Sequence, residues 1–203
     1  MEYFIVILLS YIVGSSSMSF YLGKLNGVSI NKEGSKNLGA SNTMALLGWK
    51  AGIIVGAHDI LKALLVVLLA RHFYGNLVAI GEVAGVACIL GHIFPFYLKF
   101  KGGKGFASYV GMTLALNWKF ALILILIIIV LVLITDYIVA GTFSTMALVP
   151  IVFGIYNHSY LIFGILSIAS IVMLFKHKDN MIRLANGTEV GLRSANRGEH
   201  RLK

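Results

Sequence analysis

The stretch Lys99–Phe106 reads KFKGGKGF, with three lysines and three glycines between two strongly apolar segments. Glycines let backbone amides come close to an anion, and a lysine among them adds a positive charge. A helix predicted to start directly after Gly105 would aim its first amides at the same place. That chemistry suits phosphate. The loop is not a nucleotide P-loop, because GxxxxGK[ST] needs Ser or Thr after the lysine and Lys104 is followed by Gly105. Lys99 and Lys101 are equally well explained as charges that stop a membrane span, whereas Gly102, Gly103, Lys104 and Gly105 are not.

Two further stretches carry similar chemistry. SINKEGSKNLGASN, Ser29 to Asn42, sets serines and asparagines among small residues and the glycines Gly34 and Gly39, so hydroxyl and amide donors can gather around an anion. Taken alone it also reads as an ordinary polar loop. HKDNMIRLANGTE, His177 to Glu189, spaces His177, Asn180 and Arg183 three apart. A helix running on from the preceding apolar segment would set them on one face. His92 stands eleven residues before Gly103, inside an apolar run. An ionisable group there is functional by default, since burying it otherwise costs stability.

The elements that hold these stretches are membrane spans. The chain has 203 residues, 58% apolar and only 12% charged, with a mean hydropathy of +0.87, outside the range of soluble domains. Apolar runs predict spans near 3–23, 50–70, 77–98, 106–117, 119–135, 137–156 and 158–175, the fourth of them short. The expected fold is an all-α integral membrane protein of about seven transmembrane helices. One polytopic domain is expected over 1–192, followed by a basic tail, 193–203. The first span is too long for a cleaved leader and is read as retained.

Alternate loops and the tail carry 14 of the 17 basic residues. The positive-inside rule then puts those loops in the cytoplasm, the N-terminus outside and the C-terminus inside. The net charge of +9 is met by anionic lipid headgroups and calls for no nucleic acid. Six histidines without HExxH or i,i+4 pairing, and a single cysteine, Cys88, give no expectation of a metal or a disulfide. Asp59 and Lys62, three apart within a span, are expected to pair. Thr142 either turns its hydroxyl inward or bonds back to its own helix.

The order of the three stretches resembles the bacterial PlsY family of acyl-phosphate:glycerol-3-phosphate acyltransferases. The family patterns GSGNxGATN, GHxFPxFxxFKGGKGVAT and HxxNIxRLxxGxE read here GSKNLGASN, GHIFPFYLKFKGGKGFAS and HKDNMIRLANGTE. The resemblance covers nearly the whole chain. It implies a seven-span enzyme of the bacterial inner membrane, its site facing the cytoplasm, that moves a fatty acyl group from acyl phosphate to the 1-hydroxyl of glycerol 3-phosphate. The product would be lysophosphatidate for phospholipid synthesis. Acyl phosphate, glycerol 3-phosphate and membrane lipids are the implied partners, with no cofactor. Ser35, His92 and Lys104 fall at catalytic positions. Asn37, Gly102, Gly103, Gly105, Thr142, His177 and Asn180 fall where substrates are held.

Two departures stand out. The family's DIR element reads Ser29-Ile30-Asn31, and the arginine expected after GATN is Ala45. Lys36, where the pattern has glycine, restores a charge without the fork geometry of a guanidinium. Alternatives are therefore an acyltransferase with another acceptor, or a transporter or lipid- or phosphate-binding paralogue without catalysis.

Overall fold

The computed structural model describes residues 1–191 and residue 193; the rest of the expected tail lies outside the described residues. All regular structure among the described residues is helical. The chain divides by internal packing into two compact units, Met1–Asn117 and Trp118–Lys203.

In the first unit the opening span is broken. Helix α1 (Glu2–Ser15) stops at Ser16, and α2 (Met18–Leu25) starts again under a Ser17 cap that accepts the Phe20 amide at 3.3 Å. Then follow α3 (Ala40–Leu47), α4 (Trp49–Tyr74), α5 (Ile80–Ile93), a 3-10 turn at Phe96–Leu98 and α6 (Phe106–Leu116). Val6, Ala63, Val66, Ala70, Ile80, Ala84 and Cys88 form one core between α1, α4 and α5, so the lone cysteine is packing material. Small residues bring the helices into backbone contact. A Cβ at Gly14 would overlap the Cys88 carbonyl, one at Gly91 the Tyr11 carbonyl, and one at Gly111 the Ile60 carbonyl. In lipid, where apolar side chains gain little by leaving their surroundings, such close approach is what holds helices together.

The second unit holds α7 (Trp118–Thr135), α8 (Ile138–Tyr156), α9 (Tyr160–Lys176) and the short α10 (Lys178–Ala185). Only 11% of the α7 window is buried, against 72% for Ile80–Leu98. The Leu- and Ile-rich α7 is thus a lipid-facing helix, and α5 is an interior one.

Among the described residues, five helical segments are long and apolar enough to cross a membrane, or six if the bent pair α9 and α10 counts as one span; Phe106–Leu116 is shorter. Six of the seven expected runs fall mainly on helix, the fourth being short as its sequence indicates, while the first, 3–23, is divided between two helices at Ser16 and Ser17. A second expectation is corrected. The last span does not continue straight into the His177 stretch: the chain bends by 56° between α9 and α10, because the helix closes at His177, whose amide bonds back to Met173 and Leu174.

Candidate functional site

The glycine–lysine loop is folded beneath the C-terminal end of α5. The amide of Gly102 donates to the Ile93 carbonyl and that of Gly103 to the His92 carbonyl, both at 3.1 Å. These two amides therefore satisfy the last carbonyls of α5. What the two glycines supply is proximity: a Cβ at Gly103 would strike His92 Nε2 on one side and lie 2.8 Å from the Leu38 carbonyl on the other. Gly105 has φ +96°, a left-handed conformation that glycine adopts without strain. It leads into the first turn of α6, whose opening amides have no partner within their own helix. Lys104, half-buried, sits between these two glycines.

Leu38 belongs to the Ser29–Asn42 stretch, so two of the three sequence motifs meet at Gly103. The stretch is organised by Asn42, which is 3% exposed. Its Nδ2 donates to the carbonyls of Ile30 at 3.0 Å and Glu33 at 3.1 Å, and its Oδ1 accepts the Ser35 amide at 2.9 Å. Thr43, next along α3, donates to the Gly39 carbonyl and shares a hydroxyl contact of 2.8 Å with Ser19 on α2. This network leaves Ser35 exposed and Asn37 half-buried, with Asn37 Nδ2 lying over Gly39. Lys36 is left-handed, φ 58°, at a position where the family pattern has glycine. Ala45 is exposed on α3.

Behind His92 lies a buried polar cluster that the sequence indicated only as an Asp59–Lys62 pair. Lys62 Nζ is 2.8 Å from Asp59 Oδ1, 3.0 Å from His92 Nδ1 and 2.8 Å from the Ser16 carbonyl exposed by the break after α1. His58 joins Asp59 Oδ1 at 3.3 Å and Ser16 Oγ at 3.1 Å. An apolar groove of about 610 Å³ along α1 and α4 includes Ser16, His58 and Lys62 in its lining.

The second unit places the remaining candidates. Thr142 is buried and back-bonds to the Ile138 carbonyl at 3.3 Å. His177 Nδ1 lies 2.8 Å from the Met173 carbonyl; a carbonyl only accepts, so that nitrogen carries a proton. Its ring meets Phe143 edge-on at 6.1 Å. On α10, Asn180 Nδ2 and Arg183 Nε each donate at 2.8 Å to the two carboxylate oxygens of Glu189. Asn180 and Arg183 thus do share a face, and it is turned to Glu189.

The resemblance pointed to Ser35 and Asn180; the structure adds the two side chains that hold their surroundings, Asn42 and Glu189. The available signal for both was their place at the ends of the motifs GASN and GTE.

The apolar helices, with the glycine–lysine loop closed under a buried histidine, define a class: a multi-pass membrane protein. A sequence model described as glycerol-3-phosphate acyltransferase matches residues 4–187. The chain belongs to the glycerol-3-phosphate acyltransferase family. It is 38% identical over 201 residues to glycerol-3-phosphate acyltransferase 1 of Oceanobacillus iheyensis, covering 96% of this chain and 97% of that one. It is 37% identical over 195 residues to the glycerol-3-phosphate acyltransferase of Fusobacterium nucleatum, with 93% and 97% covered. Among solved structures it resembles PlsY (YgiH), an integral membrane glycerol 3-phosphate acyltransferase, in its glycerol 3-phosphate form. The TM-score is 0.89 at 26% identity, over 97% of this chain and 98% of that one.

Proposed function

We propose that this acyltransferase moves a fatty acyl group from acyl phosphate to the 1-hydroxyl of glycerol 3-phosphate, in the bacterial inner membrane, from a site facing the cytoplasm. The hydroxyl oxygen forms the new ester bond to the acyl carbon, the acyl carbon–phosphate oxygen bond breaks, and phosphate leaves as the hydroxyl proton is removed. Lysophosphatidate and inorganic phosphate are the products. The donor is a mixed anhydride and already activated, so the protein has to position two anions and favour the tetrahedral oxyanion.

The observation that carries this reading is the meeting of His92, Gly103 and the Leu38 carbonyl, which joins the serine loop to the glycine–lysine loop. In our assignment Lys104 and the first amides of α6 neutralise phosphate, with Gly102, Gly103 and Gly105 allowing its approach. Ser35 and Asn37 orient a substrate at the neighbouring loop, and the family motifs assign substrate contacts to Thr142, His177 and Asn180. The apolar groove that Ser16 and His58 help to line suits an acyl chain. Membership of the family favours this reading over a transporter or a binding protein without catalysis.

A second acceptor is favoured by one observation: Ala45, exposed on α3, offers no donor where the family pattern has arginine. The test for both is the same. Purified protein receives acyl phosphate with glycerol 3-phosphate or with related polyol phosphates, and phosphate release and lipid product are followed. Release with glycerol 3-phosphate, abolished in Lys104→Ala, is expected. Release only with another acceptor would establish the second reading, and no release above the Lys104→Ala level with any acceptor would reject both.

A further inference from the structure

Asp59, Lys62 and His58 are buried or half-buried halfway along a 26-residue helix, and the transfer chemistry above gives them no task. Their contacts with His92 do. An ammonium has three N–H donors and no acceptor. Lys62 Nζ has three acceptors in reach: the Ser16 carbonyl at 2.8 Å, Asp59 Oδ1 at 2.8 Å and His92 Nδ1 at 3.0 Å. Each proton has one place to go. A proton on His92 Nδ1 would face the ammonium proton head-on across the last of these contacts.

The competing arrangement would have His92 Nδ1–H donate to Asp59. Asp59 Oδ1 does lie near it, at 3.3 Å, but that oxygen already receives Lys62 at 2.8 Å, and the contact of Nδ1 with Lys62 Nζ, a group that can only donate, is the shorter at 3.0 Å. Nδ1 is thus left as an acceptor, and the ring proton sits on Nε2. That atom is the one packed against Gly103.

We propose that Lys62, braced by Asp59 and the Ser16 carbonyl, is a positioning residue that holds His92 as its Nε2–H tautomer, so that His92 serves the glycine–lysine loop as a hydrogen-bond donor and not as a base. A fixed N–H aimed at the loop stabilises negative charge on a phosphate or acyl oxygen without reorganising during the reaction. The acceptor hydroxyl's proton then leaves to a group other than His92. The break after Ser15 acquires a purpose as well, since an unbroken helix would use the Ser16 carbonyl internally. The tautomer follows from the contacts alone; its use in catalysis rests on the acyl-transfer reading above.

Both parts are testable on the full-length protein in detergent. Labelling histidine with nitrogen-15, with His92→Gln to assign the signals, is expected to show a one-bond proton coupling at His92 Nε2 and an unprotonated Nδ1. A proton on Nδ1 overturns the tautomer, whatever the enzyme turns out to transfer, and this wild-type measurement does not depend on any variant folding. Lys62→Met is expected to move the proton to Nδ1, freed to point at Asp59; an unchanged spectrum in folded Lys62→Met would overturn the role of Lys62. For catalysis, His92→Gln keeps an N–H donor but no base. Its turnover is expected within about tenfold of wild type while His92→Phe loses about 100-fold or more. A loss of about 100-fold or more in His92→Gln as well would mark a base and overturn the donor role.

Discussion

The side chain of Asn42 holds the backbone of Ser35: Oδ1 accepts the Ser35 amide at 2.9 Å while Nδ2 ties down the carbonyls of Ile30 and Glu33, twelve and nine residues back along the chain. One amide group thereby shapes the whole serine loop. Asn42→Ala would leave three backbone groups without their partner, a cost of about 1–3 kcal/mol where they stay buried. Expected are a lower melting temperature in detergent and a turnover loss larger than that of Ser35→Ala. Asn42→Asp, which keeps the acceptor but turns a buried carboxylate oxygen against the Ile30 and Glu33 carbonyls, is expected to melt no higher than Asn42→Ala.

Gly103 tests whether closeness is what that glycine contributes. A methyl group there would meet His92 Nε2 and the Leu38 carbonyl, displacing the loop or the ring. Displacement on the scale of an ångström costs about 100-fold in rate when reacting groups are aligned. Gly103→Ala is therefore expected to lose about 100-fold in kcat. Gly164→Ala, where a Cβ meets nothing, should behave as wild type. Equal kinetics in the two variants would show that the loop tolerates the bulk.

At Lys36 two demands conflict. The left-handed backbone, φ 58°, costs a non-glycine residue roughly 1–2 kcal/mol, so the lysine is retained at a cost to stability. Lys36→Gly is expected to raise the melting temperature and to raise KM for glycerol 3-phosphate if the ammonium substitutes for a missing phosphate contact. Unchanged KM would assign Lys36 to the surface alone.

Ala45→Arg addresses the same contact from α3. A charged hydrogen bond to phosphate contributes about 1.5–3 kcal/mol, which is roughly one to two decades of affinity. KM for glycerol 3-phosphate is expected to fall by about tenfold or more with kcat little changed. No fall in KM would mean that the exposed Ala45 position does not face the acceptor.

Glu189 closes the α10 turn by receiving both Asn180 and Arg183. Arg183 is 39% exposed and Glu189 9%, so solvent screens the pair and its coupling is expected near 1 kcal/mol rather than the value for a dry ion pair. A double-mutant cycle of Glu189→Gln with Arg183→Gln in thermal melts measures it. In kinetics, Glu189→Gln should resemble Asn180→Ala if Asn180 works only in the orientation the carboxylate gives it.

Much of this protein follows from local properties of the chain. Runs of apolar residues long enough for a bilayer have to be helical, because every backbone amide there must be satisfied within its own segment. Each expected run, from 3–23 to 158–175, accordingly falls mainly on helix. The family, too, is legible in three contiguous motifs, since glycines beside a lysine carry their chemistry in a few adjacent residues. Helix breaks were not legible. Ser16 lies in the small polar stretch GSSS inside the run 3–23, read as one span, and the stop there is matched by a lysine 46 residues later. The bend at His177 was missed for a similar reason, since spacing alone cannot distinguish one straight helix from two.

What tertiary structure alone decided is who shares a proton with whom. Spacing made Asp59 and Lys62 partners, because residues three apart on a helix meet. It could not add His92, thirty residues away on α5, or the Ser16 carbonyl on α1. Nor could it show that the amides of Gly102 and Gly103 are taken by α5, leaving closeness as those glycines' contribution. A sequence names donors and acceptors, but a hydrogen bond is a matter of about 3 Å and a direction, and both are set only when separate helices pack.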